Sequence, residues 1–368
     1  MIYKDFQDLS LSRLGMGNMR LPVKLGRIDT KKAQEIIDYA MAQGINYYDT
    51  AYVYHSGKSE SFLGQALKKY PRDSYYLATK FYVMANPDIQ KVFEEQLRRL
   101  DTDYIDFYLI HCVNEETIDA YMKKDRHYLD FLMEQKAKGK IRHIGFSSHG
   151  KPETLERFLT WGRDCFEFVQ IQLNYLDWTM QNAKRQYEII TEHGLPVWVM
   201  EPVRGGRLAS LGEKYDRMLK QAKPDWSVPA WAFHWLMGLD NVTMILSGMS
   251  TTDQIRDNVA TFQTEETLSK EAQMLLMNVA AGYQSKLAVP CTACRYCCDG
   301  CPENIDIPVW MNLYNELSLT KDKAAWEKAI QAEHGPASCI GCGQCTAHCP
   351  QSIDVPGYME KLVSGRYA

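Results

Sequence analysis

The sequence predicts an α/β protein built on a (β/α)8 TIM barrel and followed by a small, mainly α-helical domain that is rich in cysteine. Three observations support this prediction. Eight apolar, β-rich runs alternate with helical patterns over the first roughly 260 residues, as in a barrel of this type. An aspartate, a lysine and a histidine stand at the ends of three consecutive runs. The last quarter of the chain holds nine of the 11 cysteines.

The predicted strands are short runs of β-branched, aromatic and aliphatic residues, and we interpret them as buried. The first is LSRLGMGNMR, residues 11–20, and the second is NYYDTA, residues 46–51. The six that follow occupy residues 75–81, 104–111, 141–148, 168–175, 196–203 and 242–249.

Amphipathic helices are predicted between the strands. One begins near Asp29 and ends at Gly44, with an apolar stripe on one side. That stripe contains Ala33, Ile36, Ile37, Ala40 and Met41. Another follows Asn86 and Pro87, a pair suited to a helix cap and first turn. A doubly wound sheet is the alternative fold, but no G-x-G-x-x-G motif opens the first helix, and eight strands fit a closed barrel better.

The composition excludes several classes of protein. A formal charge of −4 is too balanced to indicate a nucleic-acid partner or a basic membrane patch. The first residues carry no apolar signal segment, and no run of the sequence is apolar enough to span a bilayer. The expectation is therefore a cytoplasmic protein, in which crowded cysteines indicate metal ligation rather than disulfides.

Four side chains of different chemistry are predicted to meet at the mouth of the barrel, where the carboxyl ends of parallel strands converge. Asp49, Lys80 and His111 end the second, third and fourth strands at equal intervals of 31 residues, and Tyr54 follows Asp49 on the same loop. Each has an ordinary structural role open to it, such as helix cap, rim salt bridge, core histidine or one of 22 tyrosines. Their combination at three successive strand ends favours catalysis.

This set of side chains suits proton transfer to a carbonyl oxygen. A tyrosine hydroxyl, with an ordinary pKa of ~10, is a weak acid at neutral pH, but a neighbouring ammonium favours its phenolate. Asp49 would keep Lys80 charged and in place. His111 would donate to the carbonyl oxygen and orient it, while Tyr54 would deliver the proton.

The motifs resemble those of the aldo-keto reductase family. DTAYVYHSGKSE at 49–60 is similar to the family's D-T-A-x-x-Y-x-x-G-x-S-E motif, and ATK at 78–80 and LIH at 109–111 match its lysine and histidine segments. The resemblance covers about residues 5–265. It implies a barrel whose catalytic tetrad is Asp49, Tyr54, Lys80 and His111. It also implies an NADP or NAD cofactor bound at the carboxyl face without a Rossmann domain.

The same resemblance implies a set of cofactor contacts along the barrel. They are Gly17, Asn18, Met19, Ser147, Ser148, Gln170, Asn174, Met200, Pro202, Gly205, Gly206, Gly248, Gln254 and Asn258. The sequence departs from the family pattern at four of these positions. Ser148 replaces an asparagine and Met200 an aromatic residue, while Gly248 and Gln254 stand where a lysine or arginine often grips the 2′-phosphate of NADPH. The choice between NADPH and NADH therefore stays open.

The cysteine-rich segment contains the spacing C-x2-C-x2-C-x3-C-P twice, which is the spacing of bacterial ferredoxins. The fourth cysteine of such a run binds the other cluster, so the predicted [4Fe-4S] ligand sets cross between the motifs. One set is Cys291, Cys294, Cys297 and Cys349, and the other is Cys339, Cys342, Cys345 and Cys301. Zinc is the alternative, but it leaves the third cysteine of each run unexplained. Helices are predicted over 308–319 and 322–332, which indicates the helical ferredoxin type.

The predicted organisation is thus a barrel over residues 1–285 and a two-cluster ferredoxin-like domain over 286–368. The predicted function is NAD(P)H-dependent interconversion of a carbonyl and an alcohol under anaerobic conditions, with small-molecule substrates. The clusters would exchange electrons with a ferredoxin-like or flavoprotein partner or have a structural role. Two alternatives stay open: an electron-transfer module with a vestigial barrel site, and a cluster-fed reductase that does not use nicotinamide.

Overall fold

Eight parallel strands close into a barrel in the computed structural model of the protein, which describes residues 1–320 and 323–367. Each strand pairs with its neighbours in chain order, and the eighth pairs with the first, so the predicted fold is confirmed. The strands are β1 (Leu14–Gly17), β2 (Tyr47–Asp49), β3 (Tyr76–Phe81), β4 (Ile105–Val113), β5 (Ile141–Ser148), β6 (Phe168–Gln172), β7 (Val197–Met200) and β8 (Val242–Ser247).

The first strand is shorter than predicted because the run 11–20 also contributes to two other elements. Leu9–Ser12 pairs antiparallel with Tyr3–Phe6 in an N-terminal hairpin, and Asn18–Arg20 forms a 3-10 turn after β1. From the hairpin, Phe6 contacts the ring of Trp198 edge to face, with centroids 5.0 Å apart. The hairpin thereby packs on residues near the amino-terminal ends of the strands, opposite the predicted site.

Helices follow the strands on the outside of the barrel. They span Thr30–Ala42, Lys58–Leu67, Ile89–Leu100, Ile118–Tyr121, Tyr128–Ala137, Pro152–Trp161, Asp177–Met180, Ala183–Glu192, Val228–Met237 and Thr252–Thr261. Asp29 caps the first, as its predicted start requires, by accepting from the Lys32 N–H. The predicted cap at Asn86 is wrong. Asp88 caps that helix, while the Asn86 side chain accepts from the Asp88 N–H and shapes the turn before it.

Glu167, just before β6, collects four hydrogen-bond donors near the amino-terminal end of the barrel. They are the His143 ring, the Lys136 ammonium, the Ile144 N–H and the Gln7 amide. Burial raises the pKa of Glu167, but these hydrogen bonds outweigh it and lower the pKa to about 2. The folded state therefore stabilises the charged form of Glu167.

We expect Glu167→Gln to lower the free energy of unfolding by about 2 kcal/mol at pH 7. The pKa is lower in the folded chain than in the unfolded one, so this contribution is complete above about pH 5 and is lost as the pH falls towards 2. Urea unfolding at several pH values would measure it. Glu134→Gln, which breaks an exposed pair with Lys138, is the control and should change stability little. A pH-independent loss for Glu167→Gln would contradict this expectation.

The described residues divide into two compact units. The first contains residues 1–202 and 222–273, and the second contains residues 203–221 and those from 274 onward. The boundary predicted between residues 285 and 286 stays a prediction. Within the described part of the chain, no helix is long and apolar enough to cross a membrane.

The second unit is mainly helical. It contains nearly all of the helix Glu213–Ala222 and most of the helix Lys270–Gln284. After residue 286 its longer helices are Ile307–Thr320, Lys323–Ile330 and Val355–Val363, with short turns at Tyr296–Asp299, Pro336–Ser338 and Gln344–Ala347. The first two match the helices predicted over 308–319 and 322–332, although residue 322 lies outside the described residues. Their apolar core includes Met311, Leu317, Met359 and Leu362.

Candidate functional site

The structure brings the four predicted catalytic residues together at the carboxyl ends of β2, β3 and β4. Asp49 is the last residue of β2 and pairs in register with Ala78 of β3. Lys80 is paired with Leu109 of β4, two residues before His111. Tyr54 lies in the turn that follows β2. All four side chains are buried.

Lys80 is the centre of this group. Its Nζ donates to Asp49 Oδ1 at 2.6 Å and to the carbonyl oxygen of Thr50 at 2.7 Å, and lies 3.4 Å from the Tyr54 hydroxyl. Burial raises the pKa of Asp49 and lowers the pKa of Lys80, while the charge of each partner opposes its shift. The short contact, with a second acceptor on the ammonium, favours an ion pair.

His111 contacts the tyrosine from the other side. The rings of Tyr54 and His111 meet edge to face with centroids 5.6 Å apart, and the Tyr82 ring contacts His111 at the same distance. Burial, reinforced by the nearby charge of Lys80, holds the pKa of His111 well below its usual range. A neutral imidazole can donate one N–H to a substrate oxygen without carrying a charge of its own.

A polar network beneath Lys80 was missed by the sequence analysis. Glu60, fully buried, accepts from Thr79 at 2.6 Å and from Gln96 at 2.8 Å, and pairs with Arg99 at 3.0 Å. Gln96 also donates to the carbonyl oxygen of Lys80. The network fixes the backbone that carries the lysine. Its signal was the final S-E of the motif at 49–60, which contains Glu60.

The backbone conformation at Gly57 explains why the same motif contains a glycine. Gly57 has a φ of +80° as it opens the helix Lys58–Leu67, a conformation that other residues rarely adopt. A Cβ atom there would also lie 3.0 Å from a guanidinium nitrogen of Arg99. Glycine therefore lets Arg99 reach Glu60 under the turn that carries Tyr54.

Most of the predicted cofactor contacts lie at the same end of the barrel. Gly17 is paired with Asp49, and Gln170 with Ser147, in neighbouring strands. Asn18 donates to the carbonyl oxygen of Asp49 at 2.9 Å. Met19 lies in the 3-10 turn after β1, Met200 ends β7, Pro202 follows it, and Gly248 follows β8. Asn258 donates to the Ser247 hydroxyl at 2.9 Å. Their roles as contacts stay predictions.

Gln170 provides a test of whether a nicotinamide carboxamide fits here. Its side chain is 2% exposed, yet its Oε1 has no hydrogen-bond partner among the described residues. A buried acceptor without a donor costs free energy, so a ligand that supplies an N–H is favoured. The donor chemistry of a carboxamide fits this oxygen.

Other predicted contacts are engaged within the protein. The Asn174 side-chain NH2 group donates to the Asp177 carboxylate and to the carbonyl oxygen of Glu201. Its Oδ1 accepts from the N–H groups of Leu176 and Asp177. The Ser147 hydroxyl accepts from the Cys112 N–H at 2.8 Å, and Ser148 donates to Val113. Gln254 accepts from the Ser250 N–H at 2.7 Å. These side chains shape the loops on which a cofactor would rest.

Gly205 and Gly206 belong to the second unit, in a turn where both have positive φ. Arg204, which begins this turn, is fully buried and donates to the carbonyl oxygens of Pro290 and Cys291, the first cysteine of the tail. Sequence patterns do not reveal this contact within the second unit, because it joins residues 86 and 87 positions apart.

The eight motif cysteines line two cavities of the second unit, and the grouping crosses between the motifs. Cys291, Cys294, Cys297 and Cys349 line one cavity. Cys301, Cys339, Cys342 and Cys345 line the other. These are the two sets that the sequence predicts as ligands, although ligation itself stays a prediction. Cys298 lines neither, and its Sγ lies 4.0 Å from Asp306.

The lining of both cavities fits an iron–sulfur cubane. Four sulfur donors face a wall of apolar side chains in each, with Ile307 and Val355 shared between them. Among the described residues, no three histidine, cysteine or acidic side chains converge closely enough to hold one metal ion. A cubane needs no such convergence, because each thiolate binds a different iron, whereas a zinc ion requires four ligands at one point.

Comparisons with known proteins agree with these two sites. The family model described as Aldo/keto reductase family matches residues 13–275, and the 4Fe-4S dicluster domain model matches residues 290–353. The chain is similar to the NADH-specific methylglyoxal reductase of Escherichia coli, with 27% identity over 69% of this chain and 90% of the relative. It is also similar to the L-galactose dehydrogenase of Arabidopsis thaliana, with 23% identity over 73% of this chain and 89% of that protein.

A solved structure supports the same assignment of the fold. The holo form of the aldo-keto reductase AKR11C1 from Bacillus halodurans aligns with a TM-score of 0.63 and 28% sequence identity. The alignment covers 76% of this chain and 96% of that one.

Proposed function

The chain belongs to the aldo/keto reductase family of oxidoreductases and carries a 4Fe-4S dicluster domain, and from this premise we propose that it interconverts a small carbonyl compound and its alcohol with NAD(P)H. The observation that carries the proposal is the buried chain of contacts from Asp49 through Lys80 to Tyr54, with His111 against the tyrosine ring.

In this proposal, each residue has one task. When bound, the nicotinamide supplies a hydride to the carbonyl carbon. Neutral His111 donates an N–H to the carbonyl oxygen and orients it. Tyr54 gives its hydroxyl proton to that oxygen as negative charge develops there. Lys80, 3.4 Å away, stabilises the charge left on the tyrosine oxygen, and Asp49 keeps the ammonium in place.

We further propose that NADH is preferred to NADPH. Gly248 and Gln254 occupy the two positions at which relatives often present a cation to the 2′-phosphate, and neither carries a charge. The E. coli relative is named as NADH-specific. Gln254 lies in the first turn of the helix Thr252–Thr261, and its side chain is used to cap the preceding loop.

We expect Gln254→Arg to tighten NADPH binding about tenfold, because a guanidinium can form a charge-assisted pair with a phosphate. NADH, which lacks that phosphate, should bind with little change. Titration of the tryptophan fluorescence with each nucleotide measures both dissociation constants. Gln90→Arg, on the helix Ile89–Leu100, adds the same charge elsewhere and serves as the control. Equal tightening for both nucleotides, or for the control, would argue against this position facing the 2′-phosphate.

For the second unit, we propose that the two cysteine sets hold two [4Fe-4S] clusters. A cubane exchanges one electron at a time, whereas a nicotinamide transfers two as a hydride. The cysteines of each set supply the thiolates, and the shared apolar wall of Ile307 and Val355 keeps water from the inner faces.

An anaerobic assay of the holoprotein tests the proposal. NADH and NADPH oxidation would be followed with methylglyoxal, other aldehydes and ketones, and the alcohol product quantified. One alcohol formed per nucleotide oxidised is the expected result. Nucleotide binding without turnover on any carbonyl would favour an electron-transfer module with a vestigial site. Carbonyl reduction by the pre-reduced protein without any nucleotide binding would favour a cluster-fed reductase.

A further inference from the structure

The two cysteine motifs place equivalent residues in opposite surroundings. Thr292 follows Cys291 and is 1% exposed, whereas Ile340 follows Cys339 and is 64% exposed. The buried Thr292 hydroxyl also has no hydrogen-bond partner within the described residues. Folding alone favours the reverse arrangement, because burying an apolar side chain is favourable and burying an unpaired hydroxyl is costly. The exposed isoleucine is therefore available for an apolar contact with another molecule.

The two cysteine sets differ at one position. Cys291 and Cys297 of the first set and Cys345 of the second are buried, between 7% and 8% exposed. Cys342 of the second set is exposed to solvent, and no cysteine of the first set is. Gly341 and Gly343 flank it, both with positive φ, and turn the loop outward at this point. The cavity of the second set, which Ile340 also lines, therefore opens at the surface of the chain.

The surroundings of this exposed cavity are apolar and acidic. From residue 329 to residue 359 the sequence contains no lysine or arginine, but it contains Glu333 and Asp354. Glu303 lines this cavity, whereas Arg295, which lines the cavity of the first set, pairs with Asp306. Bound thiolates would add negative charge. A partner complementary to this surface therefore presents an apolar contact within a basic rim.

We propose that Ile340 and the loop 340–343 form a docking surface where the dicluster domain exchanges single electrons with a redox protein that has a basic rim. This inference rests on the proposed cluster ligation by Cys301, Cys339, Cys342 and Cys345. In each exchange, one electron leaves the reduced domain and lowers the oxidation state of the partner's redox centre by one. No bond breaks and no proton is transferred. A cluster bound by the exposed Cys342 would give the electron a short path to the partner.

Stopped-flow mixing tests the proposal with ferricytochrome c, a basic one-electron redox protein, as the probe. The holoprotein is reduced anaerobically with dithionite, the excess is removed, and the formation of ferrocytochrome c is recorded. The second-order rate constant should fall as ionic strength rises, and Ile340→Gln should lower it about tenfold. Val309→Gln is the matched control, because Val309 is 52% exposed in the same unit and lines neither cavity. It should leave the rate constant unchanged.

Three results would overturn the docking surface. They are an unchanged rate constant for Ile340→Gln, an equal loss for Val309→Gln, and a rate constant that rises with ionic strength. Iron and sulfide analysis of each variant precedes the mixing, and a sample with no clusters would overturn the ligation on which the surface depends. Tyr54→Phe should reduce the probe at the unaltered rate, so failure of the barrel chemistry would leave this inference standing.

Discussion

Replacing Tyr54 with phenylalanine is expected to lower kcat for carbonyl reduction about 10³-fold, while nucleotide binding stays unchanged. The substitution removes a single oxygen atom, which is the proton donor in the proposed reaction. The hydroxyl lies 3.4 Å from Lys80 Nζ, and the ring packs edge to face on His111. Phenylalanine keeps the ring contact and loses only the hydroxyl group that carries the proton. Steady-state kinetics with NADH and a reducible aldehyde would measure the loss.

Tyr52→Phe is the matched control for this prediction. It lies on the same loop, but its hydroxyl donates to Glu95 at 2.9 Å rather than facing Lys80. We expect the control to keep most of the activity. If Tyr54→Phe retained more than about a tenth of the wild-type kcat, the hydroxyl would not be the proton donor, since loss of a general acid typically costs at least 10²-fold.

The second large effect concerns the crossed ligand sets of the dicluster domain. Cys349→Ala is expected to remove about four of the eight irons, and the cluster lost should be the one bound by the first motif. The reason is spatial, since Cys349 lines the cavity of Cys291, Cys294 and Cys297 although it belongs to the second motif. Iron and sulfide analysis, together with electron paramagnetic resonance of the reduced protein, would quantify the clusters that remain.

Double variants show which cluster is lost. Cys349→Ala combined with Cys294→Ala should cost no more iron than either change alone, because both residues line one cavity. Cys349→Ala combined with Cys342→Ala should remove all of the iron, because these two residues line different cavities. Cys298→Ala is the control and should keep every iron. Reversed behaviour of the two double variants would show that each motif binds its own cluster.

The places where the sequence interpretation failed share a cause. The sequence predicts a helix cap at Asn86 because asparagine before proline is a good cap, whereas the chain uses Asp88 and a local turn. The predicted first strand includes Leu11 and Ser12, which end the second strand of the N-terminal hairpin, because they lie next to the apolar residues of β1. In each case the local pattern allowed two arrangements, and packing chose between them.

The Glu60 network and the contact of Arg204 with Cys291 were missed for a different reason. Glu60, Thr79, Gln96 and Arg99 come from three separate elements, and a buried carboxylate is recognisable only when its partners are in place. A sequence shows that such residues exist but not that they meet. Networks of this kind therefore need coordinates.

By itself, the sequence determined the closed barrel, the four residues at its strand ends and the grouping of cysteines from both motifs into two sets. These features follow from the local periodicity of apolar residues, from fixed intervals between βα units and from the spacing of the cysteines. All three are short-range properties of the chain. Only the tertiary structure decided that Gln170 keeps an unsatisfied buried oxygen and that Ile340 is exposed while Thr292 is buried. Burial depends on which distant segments cover a side chain, and that is set by the packing of the whole chain.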